Sequence, residues 1–453
     1  MSASDSASAE KAAARATLLT RLAVRGSVFT AVGHVTGESV RFASNLVLTR
    51  LLFPEAFGLM AIATAVLQGA RMFSDVGIRG SIVQHERGEE PLFYNPAWTV
   101  QTLRGLAICA ALCLLAGPLA ALYGKPEAAA LIRIVALAAA IDGLTSTAGF
   151  SLVRRVRPGR QIALDLGSRL FGIAATIVLA WIWRSVWALA FGAVATAAAQ
   201  VVLSFRILPG YRNRFAYDRS AAQAIASFGR WVMVSSLLTF LLNQGDRLIL
   251  GKLMTSAQLG VYAIANFMAF AIPEGAARIS VNVLWPLYAR IRALEIQQQR
   301  REIARYRSAV LAVALPGLWV LAIFGGDIVS LLYDNRYTEA GWMMRLLAIA
   351  MIPVLVSYTA ERVLVAHGDS FSHTLLQLGQ AIGLYGGIWM GYVLSDVPAR
   401  GVIVGVMFGR LAGYLPLAWL TSRKNAWLPR VDAVVFGASA LVLWLGFAWR
   451  GWP

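Results

Sequence analysis

Residues 46–63 read LVLTRLLFPEAFGLMAIA, and residues 248–265 read LILGKLMTSAQLGVYAIA. At an offset of about 202 residues, Leu46, Leu48, Leu51, Gly58, Ala61, Ile62 and Ala63 meet Leu248, Leu250, Leu253, Gly260, Ala263, Ile264 and Ala265. Arg50 meets Lys252 in the same register. A second pair lies further along: LYGKPEAAALIRIVALAAA from Leu122 and LYDNRYTEAGWMMRLLAIA from Leu332, where Arg133 matches Arg345 after a two-residue insertion. Two separate matches exceed what alanine and leucine abundance produces, and they predict an internal repeat of about six membrane spans. Six is even, so both copies enter the membrane in the same direction, as two lobes related by an axis along the membrane normal.

The composition around these motifs requires a membrane. Of 453 residues, 58% are hydrophobic and only 14% charged, with a mean hydropathy of +0.63. A soluble chain carries roughly 25% charged residues. Apolar runs near the length of about 20 residues that crosses a bilayer predict spans at 27–48, 56–76, 98–122, 127–149, 161–183, 186–206, 224–250, 257–282, 308–332, 338–366, 371–393, 398–420 and 431–449. A soluble enzyme and a disordered chain are both excluded. The expected fold is an all-α polytopic membrane protein, with about 12–14 transmembrane helices in two six-helix lobes around a central cavity. The expected divisions are a cytoplasmic tail over 1–26, an N-lobe over 27–222, a C-lobe over 223–421 and an extra C-terminal transmembrane segment over 422–453.

Charge sets the orientation. There are 41 Lys and Arg against 23 Asp and Glu, a net +18. In a soluble protein that excess would suggest nucleic acid, but here it follows the positive-inside bias of membrane proteins. With the N-terminus in the cytoplasm, roughly 23 loop and tail cations fall inside against about 7 outside. The 367–370 turn is the exception, assigned inside without Lys or Arg. The first span, interrupted by His34, Glu38 and Arg41, does not read as a cleavable signal peptide. Cys109 and Cys113 lie four apart in one apolar helix, where they read as small packing residues. Two connections, 77–97 and 283–305, are long and polar; the second places Leu284, Leu287, Ile291, Leu294 and Ile296 among basic residues, a pattern suited to the inner leaflet surface.

Charges inside the spans carry the functional signal. An ionisable side chain at a helix centre costs at least about 2.5–3.5 kcal/mol, and such groups mark substrate and ion paths. Arg104, Arg230, Arg362 and Arg410 lie toward helix ends, from which a long side chain reaches the interface. Arg41, Arg71 and Arg278 cannot all be placed that way. Glu38 and Arg41, three apart, share a helix face, as do Glu274 and Arg278, four apart. Either these are self-neutralising ion pairs, or they line a water-filled cavity with net positive charge. Arg keeps its charge on desolvation and offers a planar fork to phosphate oxygens, so an Arg-lined cavity favours a phosphate or pyrophosphate headgroup over a neutral sugar.

Catalytic patterns are missing. The histidines His34, His85, His367 and His373 are scattered with no metal-ligand spacing, and neither a phosphate-binding GxxxxGK[ST] loop nor a GxSxG elbow occurs. No catalytic residue, metal or cofactor is expected. Glu38, Asp75, Asp165 and Glu274 are the candidate carriers if a proton or Na⁺ gradient drives transport.

Residues 44–84, SNLVLTRLLFPEAFGLMAIATAVLQGARMFSDVGIRGSIVQ, resemble the opening of bacterial O-antigen and exopolysaccharide oligosaccharide flippases. These form the polysaccharide-transport family of the multidrug/oligosaccharidyl-lipid/polysaccharide exporter superfamily. TRLLFPEAFGLMAIA between the first two spans and FSDVGIRGSIVQ ending the second carry the likeness, and LYDNRYTEAGWMMRLLAIA is similar to the family's second half. The resemblance covers residues 27 to about 420. It implies a bacterial inner-membrane transporter for cell-surface polysaccharide biosynthesis, turning an undecaprenyl-diphosphate-linked oligosaccharide from the cytoplasmic to the periplasmic leaflet by alternating access. It also implies a cationic central cavity built by spans one, two, seven and eight, onto which Arg41, Arg71 and Arg278 map. The implied partners are that glycolipid, membrane lipids, and a polysaccharide polymerase with its chain-length regulator; nucleic acid is not among them. A drug/cation antiporter of the same superfamily should line its cavity with carboxylates and aromatics instead. A membrane-embedded glycan polymerase or ligase should carry a large outer loop, and a non-transporting scaffold needs no cavity.

Overall fold

The computed structural model describes residues 33, 35–154, 158–208 and 211–450. The expected tail, the first residues of span one, and Arg155 and Arg157 lie outside that range. Among the described residues every regular element is helical. The first half contains α1 (35–51), α2 (Pro54–Phe73), α3 (Ile78–Gln84), α4 (Pro91–Leu122), α5 (Glu127–Gly143), α6 (Ala148–Arg154), α7 (Pro158–Trp183) and α8 (Trp187–Ser204). The second contains α9 (Arg219–Leu253), α10 (Ser256–Ile279), α11 (Trp285–Ile291), α12 (Ile296–Leu332), α13 (Ala340–Ala360), α14 (Arg362–Ala366), α15 (Ser370–Leu394), α16 (Pro398–Ala412) and α17 (Tyr414–Arg423). Helix α18 (Pro429–Arg450) ends the chain.

The long helices stand at the thirteen expected spans, with α13–α14 and α16–α17 each making one. Among the described residues nine are both long and apolar enough to cross a membrane, or ten counting the bent α9. Helix α5 is 17 residues long, and α15 is diluted by glutamine and glycine.

Two apolar cores form. Leu59, Ala63 and Leu67 of α2 pack with Ile108 and Leu112 of α4, Leu131 and Val135 of α5, and Ala190 of α8. In the second half Leu259 and Ile264 of α10 pack with Leu315 of α12, Leu347 and Leu355 of α13, Leu384 of α15 and Val406 of α16. The pairings repeat: α4 with α5, α7 with α8, α5 with α8 and α2 with α5 correspond to α12 with α13, α15 with α16, α13 with α16 and α10 with α13.

The halves meet where α2 crosses α10. Pro54 occupies a first-turn position of α2, where its missing N–H is no loss. Helix α10 starts at the counterpart residue, Ser256, behind a capping box of Thr255 and Gln258. A Cβ on Gly58 would overlap the Ser256 carbonyl, and one on Gly260 would overlap the Pro54 carbonyl. The two repeat-matched glycines thus let the backbones touch reciprocally, as a twofold between the halves requires.

The even-numbered connections gather at the other end. Arg154 donates to the carbonyls of Ile82 (3.2 Å) and Glu86 (3.0 Å), Arg300 to that of Trp427 (2.9 Å), and Lys424 pairs with Asp369 at 2.7 Å. The cation-poor 367–370 turn therefore borrows its cation from the connection between α17 and α18. Only part of the 283–305 segment faces outward: Leu284, Tyr288 and Ile303 pack in a small core with Val363, Ala426 and Leu428, while Leu294 and Ile296 are exposed. The leaflet-facing pattern is thus narrower than its sequence reading, because α11 docks on α14.

Candidate functional site

Five charged side chains from three helices meet at the junction of the halves. Helix α1 presents Glu38 and Arg41 one turn apart, with Arg41 Nε 3.2 Å from Glu38 Oε2. Across the junction, α10 presents Glu274 and Arg278, joined at 3.0 Å. Glu274 also lies 4.0 Å from Arg41, and Arg169 of α7 lies 3.7 Å from the second Glu38 oxygen. The Arg41 guanidinium sits 4.6 Å over the Phe267 ring, which stacks on Phe42. Among the described residues, three arginines against two glutamates leave one net positive charge. The side chains of Arg41 and Arg278 are 42% and 45% exposed, so neither guanidinium is sealed within the protein. Both arginines lean on Glu274, an arrangement in which an entering phosphate can replace one carboxylate with two or three oxygens of its own.

Arg71 is not part of this group. It pairs with Asp142 inside a separate cavity of about 700 Å³ among α2, α4, α5, α6, α7 and α8. Arg104 lines the same cavity, donating from Nε to Ser74 Oγ (3.1 Å) and from Nη2 to the Arg71 carbonyl. Among the described residues Arg104 has no carboxylate within ion-pair distance. Gln68, Gln101, Gln161, Gln200 and Thr196 supply further polar lining.

Of the four candidate carboxylates, Glu38 and Glu274 belong to the central cluster. Asp165 accepts from Gln161 (3.0 Å) and Gln200 (3.4 Å). Gln161, Asp165 and Arg169 recur every four residues on α7, so one helix face runs from the cavity to the cluster. Asp75 has a local role: it accepts from the Gly77 N–H (3.0 Å) and Ser236 Oγ (3.1 Å), ending α2 and tying it to α9.

The second half has its own cavity of about 370 Å³ among α9, α10, α13, α15 and α16. Glu361 and Arg362 pair there at 2.9 Å, and Arg410 donates to the Leu242 carbonyl. Arg104, Arg362 and Arg410 therefore turn inward, away from the membrane interface to which their positions near helix ends pointed. The signal for Arg104 lies in its neighbours, because Gln101 and Gly105 give α4 a polar, close-packed face. The signal for Arg169 is its spacing of four from Asp165.

The chain matches the family of polysaccharide biosynthesis proteins over residues 47–341, which reaches from the first copy of the repeat into the second. It is 25% identical over 406 residues to the succinoglycan biosynthesis transport protein ExoT of Rhizobium meliloti, covering 88% of this chain and 77% of that one. It is 22% identical to the lipopolysaccharide biosynthesis protein WzxC of Escherichia coli, covering 72% and 66%. Its fold is similar to the inward closed conformation of the lipid II flippase MurJ, with a TM-score of 0.65 at 12% identity over 92% of this chain and 93% of that one.

Proposed function

This chain belongs to the polysaccharide biosynthesis protein family, and from that premise we propose that it is a flippase for lipid-linked oligosaccharide in cell-surface polysaccharide biosynthesis. The observation that carries the reading is the cationic junction cluster. A diphosphate headgroup enters between the halves and is gripped by Arg41 and Arg278, with Arg169 behind them, while Glu38 and Glu274 hold these arginines in the empty state. The glycan extends along the α7 face into the cavity of Arg71, Arg104 and the glutamines, whose amides suit sugar hydroxyls. The undecaprenyl tail stays in the bilayer. The lobes, 27–222 and 223–421, then rock about the α2–α10 crossing and present the headgroup on the other side. Protonation or Na⁺ binding at Glu38 or Glu274 would free the arginines and couple the cycle to a gradient. The setting is the bacterial inner membrane with the N-terminus in the cytoplasm, beside a polymerase and its chain-length regulator. An excess of arginine over carboxylate disfavours a cationic drug as cargo.

The test is transfer of undecaprenyl-diphosphate-linked oligosaccharide in proteoliposomes. Losing one charge-assisted contact of about 1.5–3 kcal/mol should slow Arg41→Ala and Arg278→Ala about 10- to 100-fold. Arg71→Ala should show a defect that varies with the sugar. Wild-type rates in both Arg41→Ala and Arg278→Ala would remove the phosphate grip.

A further inference from the structure

Two cations cross between the halves at the end where α2 meets α10. Lys125, in the turn between α4 and α5, is buried at 8% exposure. Its ammonium donates to the carbonyls of Gly251 and Met254 (3.0 Å), at the C-terminus of α9. Arg336, in the turn between α12 and α13, donates from Nη2 to the Thr49 carbonyl (2.9 Å) and from Nη1 to the Leu52 carbonyl (3.4 Å), at the C-terminus of α1. Gly251 and Met254 are the repeat counterparts of Thr49 and Leu52, at the offset of about 202 residues. Lys125 and Arg336 stand in the two copies of the second repeated motif. Each half therefore extends one cation to the last carbonyls of the other half's first helix.

The chemistry suits a reversible closure. A helix C-terminus carries unpaired carbonyls and partial negative charge, which attract a cation. A buried ammonium is tolerated only while hydrogen-bonded, so Lys125 is stable closed, and on opening it must find water. Asp334 also holds the Arg336 guanidinium (Nε–Oδ1 2.9 Å). The orientation given by the loop cations puts these turns on the periplasmic side, roughly 12–16 Å beyond Arg41 along α1 at about 1.5 Å per residue.

We propose that Lys125 and Arg336 are paired latches of a periplasmic gate, closed in this structure, which must both release their carbonyls before cargo leaves. This rests on the transport reading above. The test uses the full chain in proteoliposomes, with Cys109→Ala and Cys113→Ala as background. Nitroxide labels at Glu127→Cys and Lys252→Cys span one latch; labels at Arg50→Cys and Glu339→Cys span the other. Lys125→Met and Arg336→Met should each raise the long-distance population at both pairs about tenfold, the worth of one lost charge-assisted bond. Lys125→Arg should retain the closed distance. Distances unchanged in both Met variants would overturn the gate. If those variants fail to fold, a reducible crosslink between Glu127→Cys and Lys252→Cys takes their place: transport should stop and return on reduction, and transport through the crosslinked protein would also overturn it. The readouts separate the two ideas. Opening distances without glycolipid transfer would retire the flippase reading and leave the gate standing.

Discussion

The latched end of the junction and its middle obey different rules. At the end, Gly58 faces the counterpart of what Gly260 faces, and Lys125 grips the counterparts of what Arg336 grips. In the middle the charged cluster has no charged counterpart among the described residues. At the same offset Glu38 becomes Phe240, Arg41 becomes Asn243, Glu274 becomes Met72 and Arg278 becomes Val76. The α1–α10 seam is charged, whereas the α2–α9 seam sets Phe240 against Gly69 and Phe73. Closure is a mechanical task that two equal halves share, so the repeat survives there. On the proposed reading a single headgroup needs one binding site, and a duplicated one would crowd further like charge into a low-dielectric region. The last helix adds a second one-sided feature: Arg307 of α12 and Asp432 of α18, 2% and 4% exposed, pair at 2.7 Å with Tyr414 on the other oxygen at 2.8 Å.

The largest effect is expected at that one-sided clamp. Arg307→Ala strands a buried carboxylate and should cost about 3–5 kcal/mol, read as lost thermal stability of the detergent-purified protein. Arg307→Met with Asp432→Leu should recover most of it; no recovery would mean that the pair positions α18 in some further way.

Gly58→Ala and Gly260→Ala each drive a methyl into a backbone carbonyl of the facing helix. Each should cost about 1–3 kcal/mol by overpacking, and the two losses should be equal within error in the same melting assay. A large inequality would break the reciprocity argued for this end.

The smallest effect belongs to the opposite end. Asp369 is held down at about 2, first by the hydrogen bond from Lys424 and then by the Ser372 N–H it accepts at the start of α15. Its folded value lies below the ordinary one near 3.9. Its contribution is therefore full above about pH 4 and fades as pH falls toward 2. Asp369→Asn should lower stability slightly, by about 0.5–1 kcal/mol, with the difference from wild type shrinking on acidification. A difference that grew toward low pH would reverse the assignment.

Much of this was readable in the chain. Hydrophobic runs placed the helices, because a bilayer accepts only segments that satisfy their own backbone. The matched Gly58 and Gly260 announced the repeat, and their contact is its geometrical expression. The spacings of Glu38 with Arg41 and of Glu274 with Arg278 allow pairing on one helix face, and both pairs form. The departures share a cause. Arg71 looked equivalent to Arg41 by depth, but the rotation of α2 sends it to Asp142 and a different cavity. Arg104, Arg362 and Arg410 looked able to reach the interface by length, yet nearby carbonyls and carboxylates drew them inward.

Local chemistry thus dictated the helices, their shared orientation and the presence of deep charge, since hydrophobic length and spacing along one strand of sequence suffice for those. Which charges meet, and that the halves exchange cations at one end, depend on helix rotation and on contacts such as Lys125 with Gly251, 126 residues apart. No periodicity records contacts of that kind, so only the folded packing could establish them.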